Sequence, residues 1–329
     1  MLLMNSDSTT LTSKPINYKS KIIFSVKLVI TVLLSIYIIS YVQLQAILDS
    51  TSHSNILFLS LSLILLIPNI YLQYLKWQLT CRQLLDENDN SKIIISLFYG
   101  FPPAVFTPAR TGEYVGRALA FKDRPFVEII IATFIDKLYV ILVTFLLGAI
   151  GAFLFIRTYY QSDNFVSIPF LITFLALAAF AIVLLFANEE WMFNKVSSIL
   201  KFKFLLQIRE KLLILKKTTA GYSLKMFLVS ILFLLCYLLQ FMLLICAFSN
   251  HFDLLNYFWA ALVIMFTKSI LSPITIGELG IREGAAVFFL TQMGELSSTA
   301  LNASLALFFI NIIIPSLISL SLLFLKNDE

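Results

Sequence analysis

An all-α polytopic membrane protein, with inverted repeats and two re-entrant broken-helix hairpins, is the fold this sequence predicts. Three observations predict it. The composition is too apolar for a water-soluble body: of 329 residues, 59% are hydrophobic and 13% charged, with a mean hydropathy of +0.90, against roughly 45–50% and about 25% in soluble domains. Apolar stretches recur at 22–42, 55–75, 127–150, 168–187, 225–248 and 300–325, close to the ~20 residues a helix needs to cross hydrocarbon. One polar motif occurs twice, at positions that invert it. This composition excludes a soluble enzyme, a nucleic-acid-binding domain and a disulfide-stapled secreted module.

The elements follow in chain order. Residues 1–21 form a polar leader, and 22–326 a single transmembrane domain. Its first span is no cleavable signal, because the leader is long and no A-x-A site follows. Repeat one covers about 55–150 and repeat two about 225–325. Between them, 188–225 carries eight Lys/Arg and three Glu, so this segment holds the chain's whole excess of +5. Basic loops stay on the cytoplasmic side, near anionic lipid. Within it, 191–217 mixes Trp191, Phe193, Ile199 and Phe202 with lysines, as an interfacial amphipathic helix does.

Lys and Arg placement sets the orientation. Lys14, Lys19 and Lys21 put the N-terminus inside, while loop 43–54 has no Lys or Arg and lies outside. Lys76, Arg82, Lys122 and Arg124 return the chain to the inside, and Lys326 ends it there. Both termini are then cytoplasmic, in a multi-pass protein of a cell's inner membrane. The pattern closes if 93–122 enters and leaves on the cytoplasmic face and 254–294 on the outer face. A count that makes each hairpin a pair of short tilted spans, with about eight to ten crossings, serves the charges too.

The duplicated motif is P-x3-G-E-x3-R. One copy runs from Pro108 through Gly112 and Glu113 to Arg117; the other from Pro273 through Gly277 and Glu278 to Arg282, 165 residues later. Three spans lie between them, and an odd number inverts the second copy. Inverted repeats with broken helices characterise many transporters, whose sites lie where the breaks meet. Pro and Gly free backbone groups that are tolerated only inside protein or beside a wet cavity. Glu113–Arg117 and Glu278–Arg282 are i,i+4 pairs in the favourable order. Each Gly-Glu stands where a half-helix begins, an end attractive to phosphate or carboxylate. Arg110, Glu113, Arg117, Glu278, Arg282 and Glu283 are the candidate substrate-binding residues: Arg117 and Arg282, expected to share one pocket, bind phosphate, and Glu113 and Glu278 position those arginines or exchange protons. The plainer reading is that each Glu–Arg pair fastens its own hairpin.

Asp136 and Lys137 lie about 13–15 Å into the span that starts at 127, near the middle of the hydrocarbon. Adjacent residues do not share a helix face, and Lys268 is the candidate partner of Asp136. Pro68-Asn69, Asn311 and Pro315 mark kinks, and Tyr139 and Gln240 are helix-contact residues. Cys81, Cys236 and Cys246 are too few and too apolar in setting for a disulfide framework. His53 and His251 stand alone in short loops, so no metal is expected.

At these residues the chain resembles a known family, the transmembrane region of lysylphosphatidylglycerol synthases, a flippase-like integral membrane family. The resemblance covers roughly residues 20–325. It rests on Lys76-Trp77, on the motif at 108–117, and on Pro273, Gly277, Gly280, Arg282 and Glu283. Asp136-Lys137 resembles a charged pair the family often has as Glu-Arg; the acidic residue that usually follows is replaced by Tyr139 or Val140. The resemblance implies a lipid-translocating domain with facing re-entrant helices around a cavity.

The expected function is translocation or binding of an anionic lipid headgroup: a phospholipid, an aminoacylated phospholipid or a polyprenyl-phosphate. Two alternatives stand beside it. One is a membrane-embedded transferase with Glu113 or Glu278 as base. The other is a lipid-binding scaffold for a separately encoded lipid synthase. No aminoacyl-transferase domain is recognisable after residue 326, and no Walker motif is present. The expected partners are an anionic membrane lipid, such a synthase and a second copy of the chain; no cofactor or nucleic acid is expected.

Overall fold

The computed structural model describes residues 44–160, 212–272 and 280–327, with Ile36 and short helical pieces between 168 and 179. The first span, most of 168–187 and the amphipathic stretch up to 211 lie outside the described residues. So do Pro273, Gly277 and Glu278.

Every described element is helical: α1 (Leu44–Ser52), α2 (Ile56–Ile64), α3 (Leu66–Leu84), α4 (Asn90–Val105), α5 (Gly112–Ala118) and α6 (Phe126–Tyr160) come first. A 3-10 turn at Leu212–Lys217 leads to α7 (Ala220–Ser249), α8 (Leu254–Leu271), α9 (Ile281–Gln292) and α10 (Ser297–Phe308). A π-helical segment, Phe309–Ile313, joins α10 to α11 (Ile314–Asn327). Among the described residues five helical stretches are long and apolar enough to cross a membrane: Ile56–Leu84, Phe126–Tyr159, Ala220–Ser249, Leu254–Leu271 and Ser297–Ser321.

Local chemistry sets where these helices start. The side chains of Asn55, Asp89, Thr219 and Asp253 accept from backbone N–H groups one or two residues into α2, α4, α7 and α8, which satisfies donors the helix leaves open. The Thr219 cap starts α7 five residues ahead of the span read from hydropathy. Asn250 ends it in the left-handed conformation, at φ 57°. The kink read at Pro68 is a break at Leu65 between α2 and α3. The one read at Asn311 is the π-helical segment ahead of Pro315. Gln240 spans the two: Asn311 Nδ2 donates to its Oε1 at 2.8 Å, and its Nε2 donates to the Ser62 carbonyl at 2.9 Å.

The core divides along α7. Tyr222 and Met226, near its start, pack with Trp77, Phe101, Ala118 and Ile129. Leu234 through Phe248 pack with α8, α9 and α10. Ala118 of α5 thus falls in the cluster at the start of α7, and Ala285, Ala286, Val287 and Leu290 of α9 in the cluster along its later part.

Hairpin one, α4 with α5, packs against α3, α6 and α11. Its two arms touch at the backbone. A Cβ on Gly112 would lie 2.2 Å from the Pro103 carbonyl oxygen, and one on Gly116 2.2 Å from that of Tyr99. Only glycine allows this approach. The turn between the arms runs through Ala109 and Arg110, both left-handed, at φ 49° and 56°. For L-residues that conformation costs on the order of 1–2 kcal/mol each. Hairpin two joins α8 to α9, which begins after Gly280 at φ 86°.

Beyond the base of hairpin one, Lys92 pairs with Glu87 at 3.1 Å and Asp123 at 2.6 Å. Slight burial raises the Glu87 pKa, but the backbone N–H of Asp89 and the Lys92 ammonium more than offset it, leaving the carboxyl below its usual range. The hydrogen bond from Lys92 is the main cause holding Asp123 low as well. Both are acids with depressed folded values. Their contribution to stability is therefore present above the unfolded pKa of about 4 and is lost as pH falls through the folded values. Lys92→Gln is expected to lower the unfolding temperature slightly near neutral pH and to flatten its decline below about pH 4. Thermal unfolding across that range in detergent checks it; identical profiles would refute the pairing.

Candidate functional site

The first motif builds a closely packed ionic cluster. Glu113, in the first turn of α5, receives Arg117 Nη2 on Oε1 at 2.6 Å, one helical turn on. On Oε2 it receives Lys137 Nζ at 2.6 Å and Arg110 Nη2 at 3.3 Å. Arg117 reaches from α5 to α6, its Nη1 donating to Asp136 Oδ2 at 2.9 Å. The other Asp136 oxygen takes Lys76 Nζ from α3, at 3.3 Å. Trp77 supplies the floor: the Arg117 guanidinium lies 4.4 Å from its ring centroid, while its indole N–H donates to Ser96 Oγ at 3.0 Å.

In formal charge, among the described residues four cations (Lys76, Arg110, Arg117, Lys137) meet two carboxylates (Glu113, Asp136), an excess of two positive charges. Lys76, Glu113, Arg117 and Asp136 are buried, whereas the side chains of Arg110 and Lys137 are 20% and 21% exposed. The Nε atoms of Arg110 and Arg117 are buried without an acceptor. Buried ions persist when they are paired and hydrogen-bonded. This cluster is paired internally but over-supplied with cations, and Arg110 and Lys137 are partly exposed at its edge, so it suits an anion.

Two expectations are corrected here. The partners of Asp136 are Lys76 and Arg117, not Lys268. Lys268 lies in the last turn of α8, which meets α6 around Gly148, where a Cβ would come within 2.5 Å of Phe266. That is twelve residues beyond Asp136, about 18 Å along the helix. The second correction concerns the helix start. The Gly112 N–H donates to Thr107 Oγ1 at 2.6 Å and the Glu113 N–H to the Arg110 carbonyl at 3.1 Å. These donors are used within the elbow, so the side-chain cations carry the anion-binding capacity.

The second motif makes pairs of its own where it is described. Arg282, fully buried, gives Nη2 to Glu283 Oε1 at 2.6 Å and Nε to Ser304 Oγ of α10 at 2.9 Å. Glu283 Oε2 accepts the Gly280 N–H at 2.8 Å, capping α9. Among the described residues this network and that of Glu113 stay separate: one ties hairpin two to α10, the other ties hairpin one to α3 and α6. Among the described residues Arg117 and Arg282 thus stand in two clusters rather than the single pocket expected, one held by α3 and α6 and the other by α10.

Elsewhere, His53 and His251 are exposed in loops, and no group of metal ligands occurs among the described residues. Tyr139 is a helix contact, its hydroxyl 2.8 Å from Ser223 Oγ. Lys76 is a site residue that sequence reasoning does not single out. In the sequence it marks sidedness and forms half of a basic-Trp pair, and its one local signal is a cation in an apolar run.

Against known proteins, a family model described as the lysylphosphatidylglycerol synthase TM region matches residues 24–319. No curated protein matches the chain.

Proposed function

The chain belongs to the lysylphosphatidylglycerol synthase TM-region family, multi-pass membrane proteins related to lipid modification or transport, and from that premise we propose that it binds and translocates an anionic lipid headgroup at the first motif. One observation carries the reading: a buried cluster at the elbow of hairpin one holds four cations against two carboxylates and presents Arg110 and Lys137 at its open side. A phosphate-bearing head supplies the missing negative charge, while its tails stay in the bilayer. Arg110, Arg117 and Lys137 meet the head. Glu113 gathers them and Asp136 fixes Arg117, so neither carboxylate needs to exchange protons.

Hairpin one enters the membrane from the cytoplasmic face and hairpin two from the outer face of an inner membrane, with both termini cytoplasmic. The grouping of Ala118 of hairpin one with the start of α7, and of the α9 core residues with its later part, supports this arrangement. The breaks at Leu65 and Phe309–Ile313, linked through Gln240, give the bundle places to bend. Reconstitution tests the function. Vesicles containing the chain should lose leaflet asymmetry of a fluorescent anionic phospholipid faster than empty vesicles, and Lys137→Gln should slow the loss at least about tenfold. Rates equal to empty vesicles across a panel of anionic lipids would refute translocation.

A further inference from the structure

Building on the anionic-headgroup reading, we infer that the site at hairpin one selects a phosphomonoester on an apolar tail over a phosphodiester headgroup. The charge count decides between them. Lys76, Arg110, Arg117 and Lys137 exceed Glu113 and Asp136 by two. A diester carries one negative charge and leaves one cation unmatched. A monoester carries about −1.5 to −2 at neutral pH and offers three terminal acceptor oxygens. The donor inventory points the same way: beyond the internal pairs, the Nε atoms of Arg110 and Arg117 remain buried without acceptors. A cationic aminoacylated head, among the expected substrates, meets a site of its own sign.

The surroundings distinguish a lipid from free phosphate. Lys137 shares its stripe of α6 with Phe134 and Ile141, three residues before it and four after, both exposed. Val115, on α5, and Phe106, at the end of hairpin one's first arm, are exposed too. The cationic opening thus adjoins exposed apolar side chains, as a charged head with a hydrocarbon tail requires.

The purified full-length chain in detergent, titrated with phosphatidic acid, phosphatidylglycerol, phosphatidylcholine or inorganic phosphate and read by intact-complex mass spectrometry, tests this. Phosphatidic acid should bind at least roughly tenfold more tightly than phosphatidylglycerol, the order expected for one further charge at a partly desolvated site. Lys137→Gln and Arg110→Gln each remove one unit of excess and should shrink that preference to about threefold or less. Arg110 lies in the elbow outside α5, so its variant decides the matter if Lys137→Gln does not fold. Equal binding of the two anionic lipids would overturn the monoester assignment and leave the headgroup reading standing. Binding of neither above phosphatidylcholine would sink both. Inorganic phosphate binding as tightly as phosphatidic acid would overturn the lipid as ligand. An undiminished preference in both variants would overturn the assignment to these residues.

Discussion

Arg117→Gln is expected to destabilise the protein by about 3–5 kcal/mol, the range for removing one partner from a buried ionic pair. Among the described residues Arg117 alone is bonded to both carboxylates of the cluster, at 2.6 Å to Glu113 and 2.9 Å to Asp136. Its loss leaves Asp136 with Lys76 alone, at 3.3 Å, and removes the cation stacked on Trp77. Total stabilities are about 5–15 kcal/mol, so the variant should melt well below the wild type in detergent and fail to move headgroups in vesicles. Arg117→Lys separates charge from geometry. It keeps the cation but cannot bridge two carboxylates with a planar fork, and should recover only part of the melting temperature. A Gln variant as stable and active as the parent would show that the cluster is incidental.

Gly116→Val should be nearly as damaging, for a different reason. The added Cβ alone would sit 2.2 Å from the Tyr99 carbonyl oxygen and 2.9 Å from the Gly100 Cα. Both obstacles are backbone, so no rotamer change relieves them, and α4 and α5 must separate. Overpacking costs roughly 1–3 kcal/mol where side chains can adjust, and this site lacks that adjustment. Arg117 is the next residue, so separating the arms also misplaces the cluster. Low folded yield after detergent extraction is the expected result. Gly221→Ala is the control: a Cβ there meets nothing within 4 Å. In the first turn of α7 it should be neutral, or stabilising by up to about 1 kcal/mol. Equal yields from the two variants would refute the close-packed hairpin.

The legible part of the site was the local part. Glu113 and Arg117 are four residues apart, and helix geometry brings such pairs together whatever surrounds them. The charges in the middle of the 127–150 stretch were legible as well, because an apolar span tolerates an ion only with a partner. The partner itself was not. Lys76 is sixty residues from Asp136 and Lys268 much farther along the chain, and nothing in composition or period ranks one above the other. Helix ends followed the same division: α6 runs ten residues past the apolar stretch that announced it, because helix continues where hydrocarbon need stops.

By itself the sequence determined that the chain is a bundle of apolar helices, where most of them run, and that a Pro- and Gly-marked elbow at 108–117 interrupts it and carries ions. Those properties depend on hydrophobicity and on spacings of a few residues. Only the tertiary structure decided that Lys76, Arg110 and Lys137 converge on Glu113 and Asp136 with charge to spare, while Arg282 pairs with Glu283 and Ser304. Each helix can turn about its axis and slide along its neighbours without altering its own pattern, so the meeting of distant ions is settled by packing.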